Sequence, residues 1–283
     1  MRLRVEWQTK VIPLGFVRRT LVDSLRQIEG SVGVATSGGI DSSVLIMSCL
    51  DLGYKPYVLS FKMDNKSDSY DFDSARKLAK RFNLDFVPVL LPSSPEIILE
   101  KIIYEIKHFQ IKKKTAIECV YPMMFVFDSC EQLGIQNLIC GHAADGHYAL
   151  SKKAMIHYRS SKELYQQFRE AYFKNKNVAQ SETLNQIAKE KNINLFLPYM
   201  QQTYFDLFNN LSWFEVNTPR QKELVRRDFP ELDVMKLKNH LNLQLGDSYI
   251  AETIGSEVLK QIAPQAKSPV TAYNLLWKKY AQA

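Results

Sequence analysis

The sequence predicts an α/β protein, a parallel sheet with flanking helices followed by a helical second half. Three observations carry this prediction. Short apolar runs alternate with helix-length amphipathic segments up to about residue 150. A Ser/Gly-rich turn joins the first such run to the helix after it. Beyond that point helical spacing persists while strand signals stop. Strands separated by helices of this length pair in parallel through crossover connections. The expected organisation is residues 1–150 as an α/β domain and 151–283 as a helical region packed on it.

The elements follow in order. Val17, Leu21, Leu25 and Ile28 recur at helical spacing, so Val17–Ile28 opens the chain as a helix. Ser31–Thr36 (SVGVAT) is a short apolar run before the Gly-rich turn, as suits a buried strand, and Ser42–Leu52 resumes as helix. Lys55–Met63 reads as strand, Asp71–Phe82 as helix, and Leu84–Leu90 as strand, with Pro88 placing it at an edge. Helices follow at Pro95–Phe109 and Ala116–Leu133, then the short strand Asn137–Cys140. In the second half Lys162–Phe173, Glu182–Lys191, Tyr204–Leu211, Arg220–Asp228, Tyr249–Ile262 and Val270–Tyr280 all read as helices. Prolines 198, 219, 230, 264 and 269 punctuate them.

Composition narrows the function classes. The 283 residues are 46% hydrophobic, 24% charged and 11% aromatic, ordinary for a chain that buries its own core. Apolar runs such as Phe86–Leu91 are far too short to cross a bilayer. The N-terminal stretch has neither a continuous apolar core nor a small-residue cleavage site, so no membrane or secreted role is expected. Cys49, Cys119, Cys130 and Cys140 lack CxxC spacing and read as buried thiols of a cytoplasmic protein. The net charge of +7 favours anionic partners, but the basic residues are scattered as on solvated helix faces.

The most informative segment is Ser37-Gly38-Gly39-Ile40-Asp41-Ser42-Ser43, which leaves a predicted buried strand and opens a helix. Adjacent glycines let backbone approach a bound group closely. The N–H groups there, with the Ser37, Ser42 and Ser43 hydroxyls, form a nest for phosphate oxygens at a helix N-terminus. Asp41 would repel phosphate directly, so it is expected to hold Mg²⁺ bridging a polyphosphate. The segment lacks the GKS/T ending of a Walker A loop and the GxGxxG dinucleotide pattern. A second constellation, Ile139-Cys140-Gly141-His142-Ala143-Ala144-Asp145-Gly146, also starts at a strand end. Ligands of open α/β sheets bind beyond the carboxyl ends of the strands, so Asp145 is expected to share the pocket and the metal with Asp41. His142 and His147 have no cysteine partners at zinc spacing and are not read as ligands.

The SGGIDSS heptapeptide resembles the pyrophosphate-binding loop of the ATP pyrophosphatase (PP-loop) superfamily. Within it, the chain is similar from about Arg18 to Gly246 to the synthetase domain of asparagine synthetase and β-lactam synthetase. The similarity takes in the loop, the helix DFDSARKLAKRF, the Cys140–Asp145 segment, KEKNINLFLPYMQQTYFDLFNNL and KELVRRDFPELDVMKLKNHLNLQLGD. The resemblance implies a five-stranded parallel, adenine nucleotide α-hydrolase-like sheet. It also implies an enzyme that uses ATP and Mg²⁺ to adenylate a small-molecule carboxylate, releasing pyrophosphate, before ammonia or an amine displaces AMP. By the same resemblance Ser37, Gly38, Gly39, Asp41, Ser42 and Ser43 hold the pyrophosphate and its metal. Met63 lies near the adenine, Cys140 and Gly141 lie near the adenosine, and Asp145 is a metal ligand. Lys238 is the expected catalytic cation, with Lys236 its competitor.

Departures from the family pattern matter as much. About thirty residues precede the loop, so no glutaminase domain is expected, and nitrogen comes from ammonia, an amine or a separate glutaminase. His142 and Gly146 stand where the family carries acids that recognise or activate an amino-acid substrate, which makes aspartate a doubtful acceptor. Two alternatives are carried. Gly141-His142-Ala143-Ala144-Asp145 also resembles the GHxxDD segment of lysidine synthetases and tRNA thiolases, so a tRNA- or nucleobase-modifying enzyme is the second reading. Nucleic acid is the less favoured partner, because Gly146 breaks the second aspartate of that pattern. A non-catalytic nucleotide-binding protein is the third.

Overall fold

The computed structural model describes residues 12–67, 69–175, 177–235 and 248–281. The first half runs α1 (Phe16–Leu25), β1 (Val32–Ala35), α2 (Ile40–Asp51), β2 (Tyr57–Met63), α3 (Tyr70–Arg81), β3 (Phe86–Leu91), α4 (Pro95–Phe109), α5 (Lys114–Gln132) and β4 (Asn137–Cys140). The second half supplies α6 (Asp145–Tyr148), α7 (Lys152–Tyr158), α8 (Lys162–Phe173), α9 (Ser181–Glu190), β5 (Asn194–Phe196), α10 (Gln202–Leu207), α11 (Trp213–Asn217) and α12 (Glu223–Asp228). It ends with α13 (Ile250–Glu252), a π-helical stretch Thr253–Val258, α14 (Leu259–Ile262) and α15 (Pro269–Tyr280).

The five strands form one parallel sheet in the order β3-β2-β1-β4-β5. The central strands β1 and β4 are buried almost throughout, as expected of apolar runs covered on both faces. Strand β3 is an edge, as Pro88 predicts; Pro88 sits opposite Ser60, and among the described residues β3 pairs only with β2. The fifth strand is β5, in the half where strand signals stop. Only three residues long and opening on Asn194, it carries too little pattern to stand out from the helix before it. Asn194 Nδ2 donates to Asn137 Oδ1 at 3.0 Å and pins the register of β5 on β4.

Adjacent strand residues point to opposite faces, and each face has its own core. Val34, Val58 and Ile139 pack with α1, α2, α3 and the segment from Tyr199 to Leu232. Leu59, Met63, Leu138 and Cys140 pack with α4, α5, α9 and the C-terminal helices. Each fully buried Leu or Ile in these layers contributes roughly 1.5–3 kcal/mol. Among the described residues no helix is long and apolar enough to cross a membrane.

Two contacts aim α12 at the sheet. The N-terminus of α1 has no side-chain cap of its own, and the buried Asp228 supplies one, accepting from the Val17 N–H at 2.7 Å. Arg18 joins Asp51 at 2.6 Å to Glu231 at 2.8 Å, tying the end of α2 to the chain just after α12. The start of α12 is thereby held over the carboxyl ends of β1 and β4.

Candidate active site

The chain leaves β1 for β2 and β3 on one side, then returns to β4 on the other. That reversal opens a crevice beyond the carboxyl ends of β1 and β4, the usual ligand position in an open α/β sheet. Ala35 and Cys140 are register partners, so the loops after them leave the sheet side by side. A cavity of about 450 Å³ occupies the crevice. Ser37 to Ser42 line it together with Cys140, Gly141, His142 and Asp145, so the two constellations expected to meet do meet.

The loop is braced from within. Thr36 Oγ1 lies 2.6 Å from Ser42 Oγ and accepts from the Gly38 N–H at 3.1 Å, while the Ser43 N–H reaches the Gly39 carbonyl at 3.0 Å. Gly38 takes φ +69°, and a Cβ there would lie 2.6 Å from the Ser74 side chain and 2.8 Å from the backbone of Ala75. Only glycine lets α3 close on the loop this tightly. At the N-terminus of α2, Gly39 provides no side-chain cap, leaving the first helical N–H groups directed at the crevice. Ser43 does not line the cavity; it is wholly buried beneath it, its Oγ without a hydrogen-bond partner among the described residues.

Asp41 and Asp145 are joined by a cation. Lys222 Nζ lies 2.5 Å from Asp41 Oδ2 and 3.6 Å from Asp145 Oδ1. Its side chain is only 4% exposed, and its ammonium stands 4.7 Å from the centre of the Tyr148 ring. Burial pulls the Lys222 pKa down, but the two carboxylates outweigh it and the net shift is upward, so the ammonium stays charged. Lys222 is held at φ +60°, where its N–H donates to Asn217 Oδ1 at 3.1 Å; Asn217 in turn donates to the Tyr148 carbonyl at 3.1 Å. One turn on, Arg226 also lines the cavity, and burial depresses its pKa. The site therefore offers the Asp41 and Asp145 carboxylates with Asp71 also lining it, the cations Lys222 and Arg226, and an uncapped helix N-terminus, a donor set that suits a polyphosphate with a divalent metal. Among the described residues no group of three His, Cys, Asp or Glu could hold a metal alone; Mg²⁺ takes one or two carboxylates and completes its shell with phosphate and water, so Asp41 and Asp145 are the side chains that would hold it.

Aromatic side chains support this arrangement from below. Tyr199 OH donates to the Asp41 carbonyl at 2.8 Å, and the Tyr199 carbonyl lies 2.7 Å from His147 Nε2. His147 is buried between Phe173 and Phe208, and desolvation pushes its pKa down to about 3. His142 lines the cavity and burial holds it near about 4, so both imidazoles are neutral at pH 7. Tyr148 OH and Tyr204 OH share a 2.8 Å hydrogen bond under Lys222.

Other expected residues lie elsewhere. Met63 is completely buried in the second core and does not line the cavity; Ser60 and Phe61, earlier on the same strand, do. Lys236 and Lys238 lie outside the described residues. Lys222 and Arg226 were not singled out from the sequence as site residues. Lys222 nevertheless opens the segment KELVRRDF that carries the family resemblance, at the N-cap of the short helix that brings in Arg226.

Comparison with known proteins adds the following. A sequence-family model described as Asparagine synthase matches residues 17–242. No curated protein matches the chain. Among solved structures, NMN synthetase from Francisella tularensis aligns over 80% of this chain and 97% of its own, at 15% identity and a TM-score of 0.36.

Proposed function

The chain belongs to the asparagine synthase family, and from that premise we propose an AMP- and pyrophosphate-forming synthetase that adenylates a small-molecule carboxylate. Ammonia or an amine, delivered free or by a separate glutaminase, then displaces AMP. The observation that carries this reading is the Lys222 ammonium held between Asp41 and Asp145 in front of the uncapped N-terminus of α2.

In this reading the Gly38–Ser42 backbone and the Ser37 and Ser42 hydroxyls take the β- and γ-phosphates. Asp41 and Asp145 would hold Mg²⁺, which neutralises charge on the polyphosphate. The Ala35, Phe61, Cys140 and Gly141 edge of the cavity takes the adenosine, with Ser60 and Phe61 in the place expected of Met63. Lys222 and Arg226 stabilise the negative charge that develops on the α-phosphate and on the leaving pyrophosphate, where preorganised cations act most strongly. Lys238, on the same segment of sequence, is kept in the proposal as a further cation.

The test is Mg²⁺-dependent exchange of labelled pyrophosphate into ATP across a panel of carboxylates, with bulk tRNA as a separate arm and Asp41→Ala as the blank. Exchange that depends on a carboxylate is the expected result. Exchange that depends on tRNA, or none with any carboxylate while MgATP binds, contradicts the proposal.

A further inference from the structure

The cavity wall at Tyr172, whose ring packs against Gly146, differs from the rest. A Cβ on Gly146 would lie 2.3 Å from Cδ1 and 2.4 Å from Cε1 of Tyr172, and 3.0 Å from Phe173. The Tyr172 ring thus fills the space a side chain at 146 would need. Position 146 is one where the family pattern carries an acid, so here a ring stands in place of a carboxylate. Among the described residues the neighbouring wall is built by the uncharged Cys119, Met123, Tyr172, Ala179 and Gln180, with the Asp145 carboxylate close enough to act on the Tyr172 hydroxyl. The acids lining the cavity come from elsewhere: Asp41 from the start of α2, Asp71 from α3, which packs on that loop, and Asp145 from the pair bridged by Lys222.

Tyr172 also belongs to a second concavity. An open groove of about 400 Å³ is lined by Tyr158, Leu164, Gln167, Phe168, Ala171 and Tyr172. None of the six is charged, although α8 carries Lys162, Glu163, Arg169 and Glu170. Its rings form a ladder: Tyr158 and Phe168 stack with centroids 4.7 Å apart, and Phe168 stands 6.0 Å from Tyr172. Leu164 at its rim is 42% exposed. Tyr172 lines both concavities, so its ring links this apolar track to the cavity that Lys222 and Arg226 also line.

We propose that this track is the acceptor subsite, and that the acceptor is a carboxylate carried on an aromatic body. The inference rests on the synthetase reading above. A ring extends the Tyr158–Phe168–Tyr172 ladder at ordinary aromatic spacing, and its carboxylate reaches toward Lys222 and Arg226. Tyr172 is then the residue that sets specificity, and Gly146 is the space that admits it.

The test is saturation-transfer NMR on the full chain with Mg²⁺ and a non-hydrolysable ATP analogue. Phenylacetate and indole-3-acetate are compared with aspartate and glutamate. Saturation of the aryl acids is expected, with affinity reduced about tenfold or more by Leu164→Glu, a surface substitution that leaves the core intact. Affinity for the nucleotide analogue, measured on the same samples, should hold. Saturation of aspartate or glutamate instead, no saturation of either aryl acid, or aryl binding indifferent to Leu164→Glu overturns the proposal. Failure of the wild-type chain to bind the nucleotide analogue would instead overturn the synthetase reading on which it rests.

Discussion

The two sides of the cavity are built on different physical principles. The loop side is polar and tightly braced: Gly38 at φ +69° under α3, an uncapped helix end, and a lysine buried between two aspartates. Among the described residues the α5–α8 side is built from uncharged, mostly apolar side chains, and its shape is set by one aromatic ring seated against Gly146. The first side has the constraints of phosphate chemistry, which admits few residue types at each position. The second has only the constraint of shape, which many sequences satisfy. The difference predicts that substitutions on the loop side abolish nucleotide chemistry, whereas those on the aromatic side redirect it.

The largest effect is expected at Lys222. Lys222→Met removes the buried ammonium that Asp41 Oδ2 faces, and breaking a buried pair costs about 3 kcal/mol or more. Loss of the preorganised charge should also reduce AMP formation by about 10²–10³-fold. The double variant Asp41→Asn/Lys222→Met should recover much of the stability in urea denaturation and none of the activity. If it recovers activity, the pair is structural only and the comparison fails.

Glycine replacements separate the two sides. Gly38→Ala pushes a Cβ into Ser74 and Ala75 at a left-handed φ, so destabilisation of about 1–3 kcal/mol and loss of MgATP binding are expected by denaturation and calorimetry. Gly146→Ala meets the Tyr172 ring, which can turn aside, so a smaller loss of stability with MgATP affinity retained is expected. Equal loss of nucleotide affinity in both variants would erase the distinction.

Acid should weaken the shared support. His147 is held near about 3 and His142 near about 4 by burial, against an ordinary 6.5. Between those values the unfolded chain binds the extra protons, so stability is complete above about pH 6.5 and declines as pH falls toward the folded values. Thermal melts from pH 7.5 to 4 should show the decline, and His147→Phe should flatten it at a cost of about 1 kcal/mol for the lost bond to the Tyr199 carbonyl. The smallest effect is expected from Tyr199→Phe. Removing its bond to the Asp41 carbonyl should cost about 1 kcal/mol and raise the KM for ATP a few-fold.

The same contrast explains what the sequence discloses. Four of the five strands are legible because apolar runs and Gly/Pro punctuation mark them, and Pro88 marks its edge; β5 is too short to carry a period. Ser37–Ser43 and Asp145 are legible because both follow strands that end at the same side of the sheet. Lys222 is not, because its placement depends on Asp228 capping the distant α1 and on Asn217, five residues earlier, holding a left-handed backbone while anchored to the Tyr148 carbonyl, contacts that no hydrophobic period signals. Tyr172 is hidden for a similar reason. Within α8 it reads as one more apolar position, and only the missing side chain at Gly146 shows where its ring goes.

The central claim is that the Asp41–Lys222–Asp145 cluster serves cleavage of ATP between its α- and β-phosphates. The most direct measurement follows the products of ATP labelled at the α- and γ-phosphates, with Mg²⁺, ammonium and an aryl or amino-acid carboxylate, in the wild-type chain and in Lys222→Met. AMP and intact pyrophosphate from the wild type, lost in the variant, is the predicted result. ADP and phosphate, or AMP formation unchanged by Lys222→Met, would contradict it.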